Sequence, residues 1–427
     1  MKTMKVGFLT ERMILGFGVD LVVHEVARRL SEKKHEATVF TTRTEEIYRD
    51  VNYRIVNLLE RAKGPGDIFS PHFMIESIHF LRVQDIDVWI AETPPFYSWL
   101  HHLRPPVVMV EHGTPDGRFF SEAIGRELDE STRHRYEVVY QSLRPGDAVV
   151  ATSEYIRSVM PLQVRVRTQV IHLGGDHYSK ATTGQTDEFR RSLGILPDEI
   201  MILWVGRMEP FYDWQPYKGL KEFMELAPVL KQRYPACRIV AVGRGEENAR
   251  EPLENAGIQP VFNLPIERMP AAFGAADIYL NTSQWEGFNL PLVEAQYQGT
   301  PVVAYNLCAH PEVTENGVSG ILVNSRDELI QSVGRLLEDP DYRRQLSLGA
   351  EKQAARFSWD RNASDLETLM IDCFDRADRS GQCMAKTAKI QKLPPYFLWK
   401  FWQIIRRYGW QTFIKKIIGW ILGRLPG

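Results

Sequence analysis

The chain has 427 residues, with 52 Lys and Arg against 54 Asp and Glu, 44% apolar and 25% charged residues. Those fractions exclude a wholly disordered or collagen-like chain, and at about 150 residues per domain the length predicts two to three domains with their own cores. Cys237, Cys308, Cys373 and Cys383 show no CxxC spacing, which argues against a zinc site or a disulfide framework and fits a reducing compartment.

The opening MKTMKVGFLTERM runs directly into an apolar strand-like stretch. It lacks the long apolar run and small-residue cleavage site of a secretory signal. No segment reaches the roughly 18 uninterrupted apolar residues of a spanning helix, so a multi-pass membrane protein is excluded. The charge is uneven along the chain. From Arg379 to the end there are ten Lys and Arg and no Asp or Glu, while the other 378 residues carry 42 basic against 54 acidic groups. An acidic body with a basic tail bears on partners rather than on fold.

In chain order, Val6–Thr10 is predicted as a strand, followed by Gly16 and Gly18 and then a helix with Leu21, Val22, Val26, Ala27 and Leu30 at three- and four-residue steps. Further strands are predicted at Ala37–Thr41, Asp87–Ala91, Val107–Glu111, Ala148–Thr152 and Gln169–His172. The pattern restarts at Glu199–Val205 and Cys237–Val242, each closed by glycine, and continues through Asp277–Asn281, Pro301–Ala304 and Ile321–Val323. Helical Ser358–Phe374 closes it. Strands separated by helices imply parallel sheets covered on both faces. Two successive doubly wound halves are expected, with the seam at Leu173-Gly174-Gly175-Asp176: domains over 1–175 and 176–378, then a tail over 379–427.

Gly16-Phe17-Gly18 lies between strand and helix, where backbone N–H groups can approach an anion. The dinucleotide fingerprint requires a third glycine where Leu21 stands, so a dehydrogenase loses its main support; a tight turn with positive φ is the alternative. The absence of GxxxxGK[ST] removes the P-loop NTPases. Arg207 ends a strand and Lys218 opens the next helix, so the two cations can converge on a diphosphate, or simply be solvated. Gly243-Arg244-Gly245 adds a turn at the same carboxyl edge, where open α/β sheets bind ligands. In Glu286–Ala295, Asn289 is expected to cap a helix with Pro291 in its first turn, which sets Glu286 before the helix and Glu294 about one turn inside it. Two carboxylates and a helix N-terminus at one spot suit a polyhydroxyl ligand bearing phosphate; the alternative is a helix entry with a dipole-favoured glutamate.

Together these segments resemble the retaining GT-B glycosyltransferases of glycosyltransferase family four. The resemblance is carried by Gly206-Arg207, Lys218-Gly219, Gly243-Arg244-Gly245, Ala276-Asp277, Glu286–Ala295, Gly299–Val303, Pro311-Glu312-Val313, Gly317 and Gly320–Val323, in the family's order. It implies two Rossmann-like domains facing across a cleft, with the last helix crossing back to the first. It further implies that a nucleotide-diphosphate sugar is the donor substrate, that no cofactor or divalent metal is used, and that configuration at the sugar is retained. Carried over residue by residue, Arg207 and Lys218 would bind the diphosphate, Glu286 the sugar hydroxyls, and Glu294 the ribose. Phe288, Asn289 and Leu290 would offer backbone N–H groups, Gly16 and Gly18 would approach the diphosphate from the other domain, and Gly243 would line the same edge. His112, at the end of a strand, would face the donor sugar, or else be structural.

Two departures stand out. Ten residues separate Arg207 from Lys218, where the family has about four, and they include Phe211, Tyr212, Trp214 and Tyr217. That stretch is a lid, an acceptor contact or a packed excursion. Asn289 stands where the family commonly has glycine.

The tail holds four of the ten tryptophans, Trp399, Trp402, Trp410 and Trp420, beside Arg406, Arg407, Lys415 and Lys416. Short basic amphipathic helices with interfacial tryptophan lie in the headgroup region of an anionic membrane. Packing on the acidic body or on another protein is the alternative, and no nucleic-acid motif accompanies the charge. The expected protein is therefore a cytoplasmic glycosyltransferase, peripheral on the membrane face. It would act on a lipid-linked or membrane-proximal glycan in cell-envelope polysaccharide or glycolipid assembly. The alternatives are a GT-B-like epimerase or phosphorylase, and a catalytically silent membrane scaffold.

Overall fold

The computed structural model describes residues 3–14, 16–61, 71–93, 96–115, 117–120, 122–209 and 215–384. The tail from 385 onward and half of the ten-residue aromatic insertion, including Phe211, Tyr212 and Trp214, lie outside the described residues.

Seven strands form the first sheet: β1 (Lys5–Leu9), β2 (Glu36–Thr41), β3 (Arg54–Asn57), β4 (Val88–Ala91), β5 (Val107–Glu111), β6 (Ala148–Ala151) and β7 (Thr168–Val170). Their order is β3-β2-β1-β4-β5-β6-β7, and every pair is parallel. The second sheet has six: β8 (Ile200–Val205), β9 (Cys237–Gly243), β10 (Gln259–Phe262), β11 (Ile278–Asn281), β12 (Val302–Tyr305) and β13 (Gly320–Val323), in the order β10-β9-β8-β11-β12-β13, again parallel. Every residue of β4, β5, β11 and β12 is buried, as expected of parallel strands covered on both faces. The two Rossmann-like units are thus as the alternation implies. Two edge strands escape the sequence reading, β3 and β10. Both are partly exposed, and β10 carries Pro260, which an edge tolerates.

The helices that shape the cleft are α1 (Gly18–Glu32), α2 (Glu154–Val159), α3 (Leu220–Arg233), α4 (Leu290–Tyr297), α5 (His310–Val313) and α6 (Trp359–Arg379). In α1 the buried Val22, Val23, Val26, Ala27 and Leu30 form the stripe read from the sequence. Both sheets reverse direction beside their first strand, between β1 and β4 and between β8 and β11. At such switch points the loops leaving the strands part and open a crevice. The loop after β1 holds Gly16–Gly18, and the loop after β8 holds Gly206-Arg207.

α6 extends past the predicted Phe374 to Arg379, and the Ser358 side chain accepts from the Asp360 N–H at its start. It runs back against α1: Arg29 Nε donates to Asp360 at 2.6 Å, and Lys33 Nζ and His35 Nε2 both reach Glu367, at 2.7 and 3.0 Å. One apolar cluster continues from Val26 and Leu30 through Trp359, Met370 and Cys373 into Leu292 and Val293. At the seam, a Cβ on Gly174 would strike the Trp359 backbone and ring, so glycine there permits the close passage of chain and helix.

Burial pushes the Glu367 carboxyl up, but the bonds from Lys33 and His35 more than reverse this and leave it lowered. Its contribution is therefore complete above the unfolded carboxyl value and lost as pH falls through the folded one. Glu367→Ala is expected to cost about 1–3 kcal/mol at pH 7, read by urea unfolding, with the difference from the parent shrinking below about pH 4.

Candidate active site

The cleft is assembled from loops at the carboxyl ends of both sheets. After β8 the chain turns at Gly206 so close to β9 that a Cβ on Gly243, at φ 151°, would collide with the Gly206 carbonyl. Glycine at 243 is thus dictated by the packing of the two loops that carry Arg207 and Arg244. Both guanidinium groups lie over the Phe17 ring of the first unit, at 5.5 and 5.7 Å, and Arg12 stacks on it at 4.1 Å. Gln215 accepts a hydrogen bond from Arg207.

Lys218 reaches the same crevice despite the ten-residue insertion before it. Its Nζ lies 2.8 and 3.0 Å from the two Glu286 oxygens, and Tyr217 beside it packs edge-on against Trp285 and Phe120. Of the insertion's aromatics, Tyr217 is therefore a packed contact spanning both units. Glu286 is buried and half-exposed Lys218 is its cation.

Pro291 sits in the first turn of α4 and Asn289 at its N-cap position, as expected, but the Asn289 side chain does not cap the helix. It takes the left-handed conformation at φ 75° and makes no side-chain capping bond. Its Nδ2 donates instead to His310 Nε2 at 2.8 Å, while His310 Nδ1 donates to the Tyr305 carbonyl at 2.7 Å. Burial lowers the His310 pKa, in keeping with a neutral ring that accepts from Asn289. Pulling the amide sideways leaves the helix N-terminus uncapped by it, and open N–H groups with a positive dipole end favour an anion. The Phe288 ring packs against His172 and Phe357.

The first unit meets this loop at three points. Gly18 lies 3.6 Å from Leu290 Cδ1, measured from an ideal Cβ position; Gly287 abuts the His112 carbonyl; and Ser153 Oγ donates to the Gly287 carbonyl at 2.6 Å. His112, just after β5, pairs through Nε2 with buried Glu92 at 2.8 Å. Gly16 has φ 86° in an exposed turn. A further bridge was not visible in the sequence: Glu312 of α5 accepts the Glu154 and Tyr155 N–H groups of α2, at 2.7 and 2.6 Å, and lies 3.2 Å from His172. It caps a helix of the other unit, and such a contact across 157 residues leaves no local signal.

Glu294 lies deep in α4, with a carboxyl that burial pushes up to about 8 and no hydrogen bond among the described residues. Burial thus favours its neutral form. Arg207, Lys218, Glu286, Glu294, Gly243, Asn289, Leu290, Gly18 and His112 thus come together around one crevice. Among the described residues no group of three or more His, Cys, Asp or Glu is placed to hold a metal ion.

Comparison with known proteins fits this geometry. Glycosyltransferase Family 4 matches residues 18–177, and Glycosyl transferases group 1 matches residues 185–353. D-inositol 3-phosphate glycosyltransferase of Corynebacterium kroppenstedtii is 31% identical over 410 residues, covering 85% of this chain and 88% of that protein. The chain belongs to glycosyltransferase family four. The enzyme of the same name from Thermobispora bispora is 26% identical, covering 85% of this chain and 91% of its own. Among solved structures, sucrose-phosphate synthase of Thermosynechococcus elongatus superposes with TM-score 0.70 at 18% identity, over 87% of this chain and 99% of that one. HepE of Anabaena, in complex with UDP and glucose, superposes with TM-score 0.67 at 19% identity, over 86% and 99%. These likenesses carry the GT-B fold, and the protein is a glycosyltransferase of that type.

In this family member the backbone at Asn289 is separable from its side chain. Asn289→Gly keeps the left-handed conformation and loses only the bond to His310, whereas Asn289→Ala adds about 1–2 kcal/mol of backbone cost. Urea unfolding is expected to rank the parent above the glycine variant and the glycine variant above the alanine one.

Proposed function

We propose that the protein transfers a sugar, with retention of configuration and without metal or cofactor, from a nucleotide-diphosphate sugar to a glycan acceptor at the cytoplasmic membrane face. The observation that carries the donor half is the convergence of Arg207, Lys218 and the uncapped α4 N-terminus beside two buried glutamates. The diphosphate sits against the two cations and the amides near Leu290, approached by the Gly16–Gly18 turn from the other side. Glu286 holds sugar hydroxyls and Glu294 the ribose. His112, fixed by Glu92, faces the sugar.

The chemistry follows from that placement. The bond from the anomeric carbon to the phosphate oxygen breaks, and the acceptor oxygen bonds to the same face of an oxocarbenium-like carbon. The acceptor proton passes to the departing phosphate, so no protein base is needed. Charge developing on that phosphate meets donors already in place, which lowers the barrier more than donors that must reorient.

The acceptor half rests on the basic, tryptophan-rich tail. Among the described residues no helix is long and apolar enough to cross a membrane. Each basic residue near an anionic surface contributes about 1 kcal/mol, enough for peripheral attachment. A second reading has its own support: relatives spanning 85% of the chain are named D-inositol 3-phosphate glycosyltransferases, so a soluble phosphorylated polyol is the competing acceptor.

A thermal-shift panel of UDP-, GDP-, ADP- and dTDP-sugars in chelator is expected to raise the midpoint with one nucleotide class, since binding to the native state alone stabilises it. Arg207→Ala should weaken that donor tenfold or more, about the worth of a charged hydrogen bond, with little change in stability. No shift with any donor contradicts the donor site. Product NMR should show the donor's anomeric configuration, and inversion contradicts the retaining route. Truncation after Arg379 should abolish sedimentation with anionic vesicles and spare donor affinity. Unchanged sedimentation, or turnover of D-inositol 3-phosphate in preference to lipid-linked glycans, contradicts the membrane acceptor.

A further inference from the structure

One pair of buried polar groups beside the cleft is left incomplete. His177, two residues past the seam glycines, has a side chain only 2% exposed. Its Nδ1 faces the Trp359 Nε1–H at 3.3 Å. An indole nitrogen can only donate, so Nδ1 accepts and the ring proton resides on Nε2. Nε2 lies 3.5 Å from Glu294 Oε1, beyond ordinary hydrogen-bonding distance, and has no partner among the described residues. Glu294 likewise has none. A buried donor left without a partner beside a buried carboxyl is costly if permanent. Burial also drives their pKa values apart, Glu294 up to about 8 and His177 down to about 4, which favours the uncharged form of each.

The ring cannot easily turn away. Tyr178 packs against it at a tilt of 47°, with ring centroids 4.0 Å apart, and Trp359 meets it edge-on at 6.3 Å. Trp359 is itself fully buried at the start of α6, with its N–H bonded to Asp176 at 2.8 Å. From α1, Glu25 raises the His177 pKa slightly while Arg29 and His24 lower it. Tyr178 and, from β11, Tyr279 are the other titratable groups coupled to Glu294, and burial holds both phenols protonated. Glu286 acts from the loop before α4 on the same tyrosine of β11.

We propose that His177 is a positioning residue of the donor site: fixed by Trp359 in the Nε2–H form, it donates to Glu294 once ligand hydroxyls bind there. The proposal rests on the reading of Glu294 as the ribose glutamate. Ligand hydroxyls donate best to a carboxylate, so binding ionises Glu294 and releases its proton. His177 then supplies the one protein donor that holds the carboxylate in place. Because Trp359 opens the helix that crosses back to α1, occupancy of the ribose site is felt where the two units are tied together.

The test is calorimetric titration of the full chain with UDP and GDP at pH 7, in buffers of different ionisation enthalpy. For whichever nucleotide binds, the parent is expected to release close to one proton, and affinity should rise from pH 6 to 8 as the free carboxyl ionises. His177→Phe keeps the ring packing and removes the donor. It is expected to bind about tenfold more weakly, about 1.4 kcal/mol, and to release clearly fewer protons. Trp359→Phe keeps the donor but frees the tautomer, should weaken binding about threefold, and serves if the first variant fails to fold. Loss of binding in Glu294→Ala with parent affinity and proton release in His177→Phe and Trp359→Phe would overturn this proposal alone. Full affinity in Glu294→Ala would overturn the reading of the site and the proposal with it.

Discussion

Two parallel sheets, each buried on both faces, can present a ligand only with the loops at their carboxyl ends, and here those ends face each other. That constraint explains where everything else lies. The switch point between β1 and β4 supplies Gly16–Gly18, the one between β8 and β11 supplies Arg207, and the loop into α4 lies between them. The contact of Gly287 with His112 and Ser153 sets the distance across the crevice. Glu312 capping α2, and α6 lying on α1, hold that distance from either side.

Within the crevice, cations, a helix N-terminus and two buried glutamates lie close together, which suits an anionic, hydroxyl-rich ligand. Lys218 is held by Glu286 rather than left in solvent, so the ammonium is already near the place where phosphate charge would develop. Asn289 gives its side chain to His310 instead of to the helix end, which keeps backbone N–H groups available. Burial favours the neutral form of Glu294, and its desolvation is a cost that a bound ribose would offset. Each of these is a local preference set aside at the same spot, as expected where function overrides stability.

Much of this was legible in the sequence because it is written in local patterns. Continuous apolar runs closed by glycine marked the central strands, and the ordered set from Gly206 to Val323 carried the family resemblance. Edge strands β3 and β10 were missed because one exposed face removes the apolar run that marks a buried strand. Asn289 stands at the helix start that its residue type marks, but the turn of its side chain to His310 is a tertiary contact that leaves no local signal. His177, Trp359 and Glu312 act across more than a hundred residues, so no spacing rule brings them to the site.

The central claim is that the crevice between the sheets is the donor site. A crystal structure of the protein soaked with its preferred nucleoside diphosphate, in chelator, tests it most directly. Density for the diphosphate between Arg207, Lys218 and the amides near Leu290, with the ribose hydroxyls on Glu294, is the expected result. A nucleotide bound elsewhere, or held in that crevice only when a divalent metal is added, would contradict it.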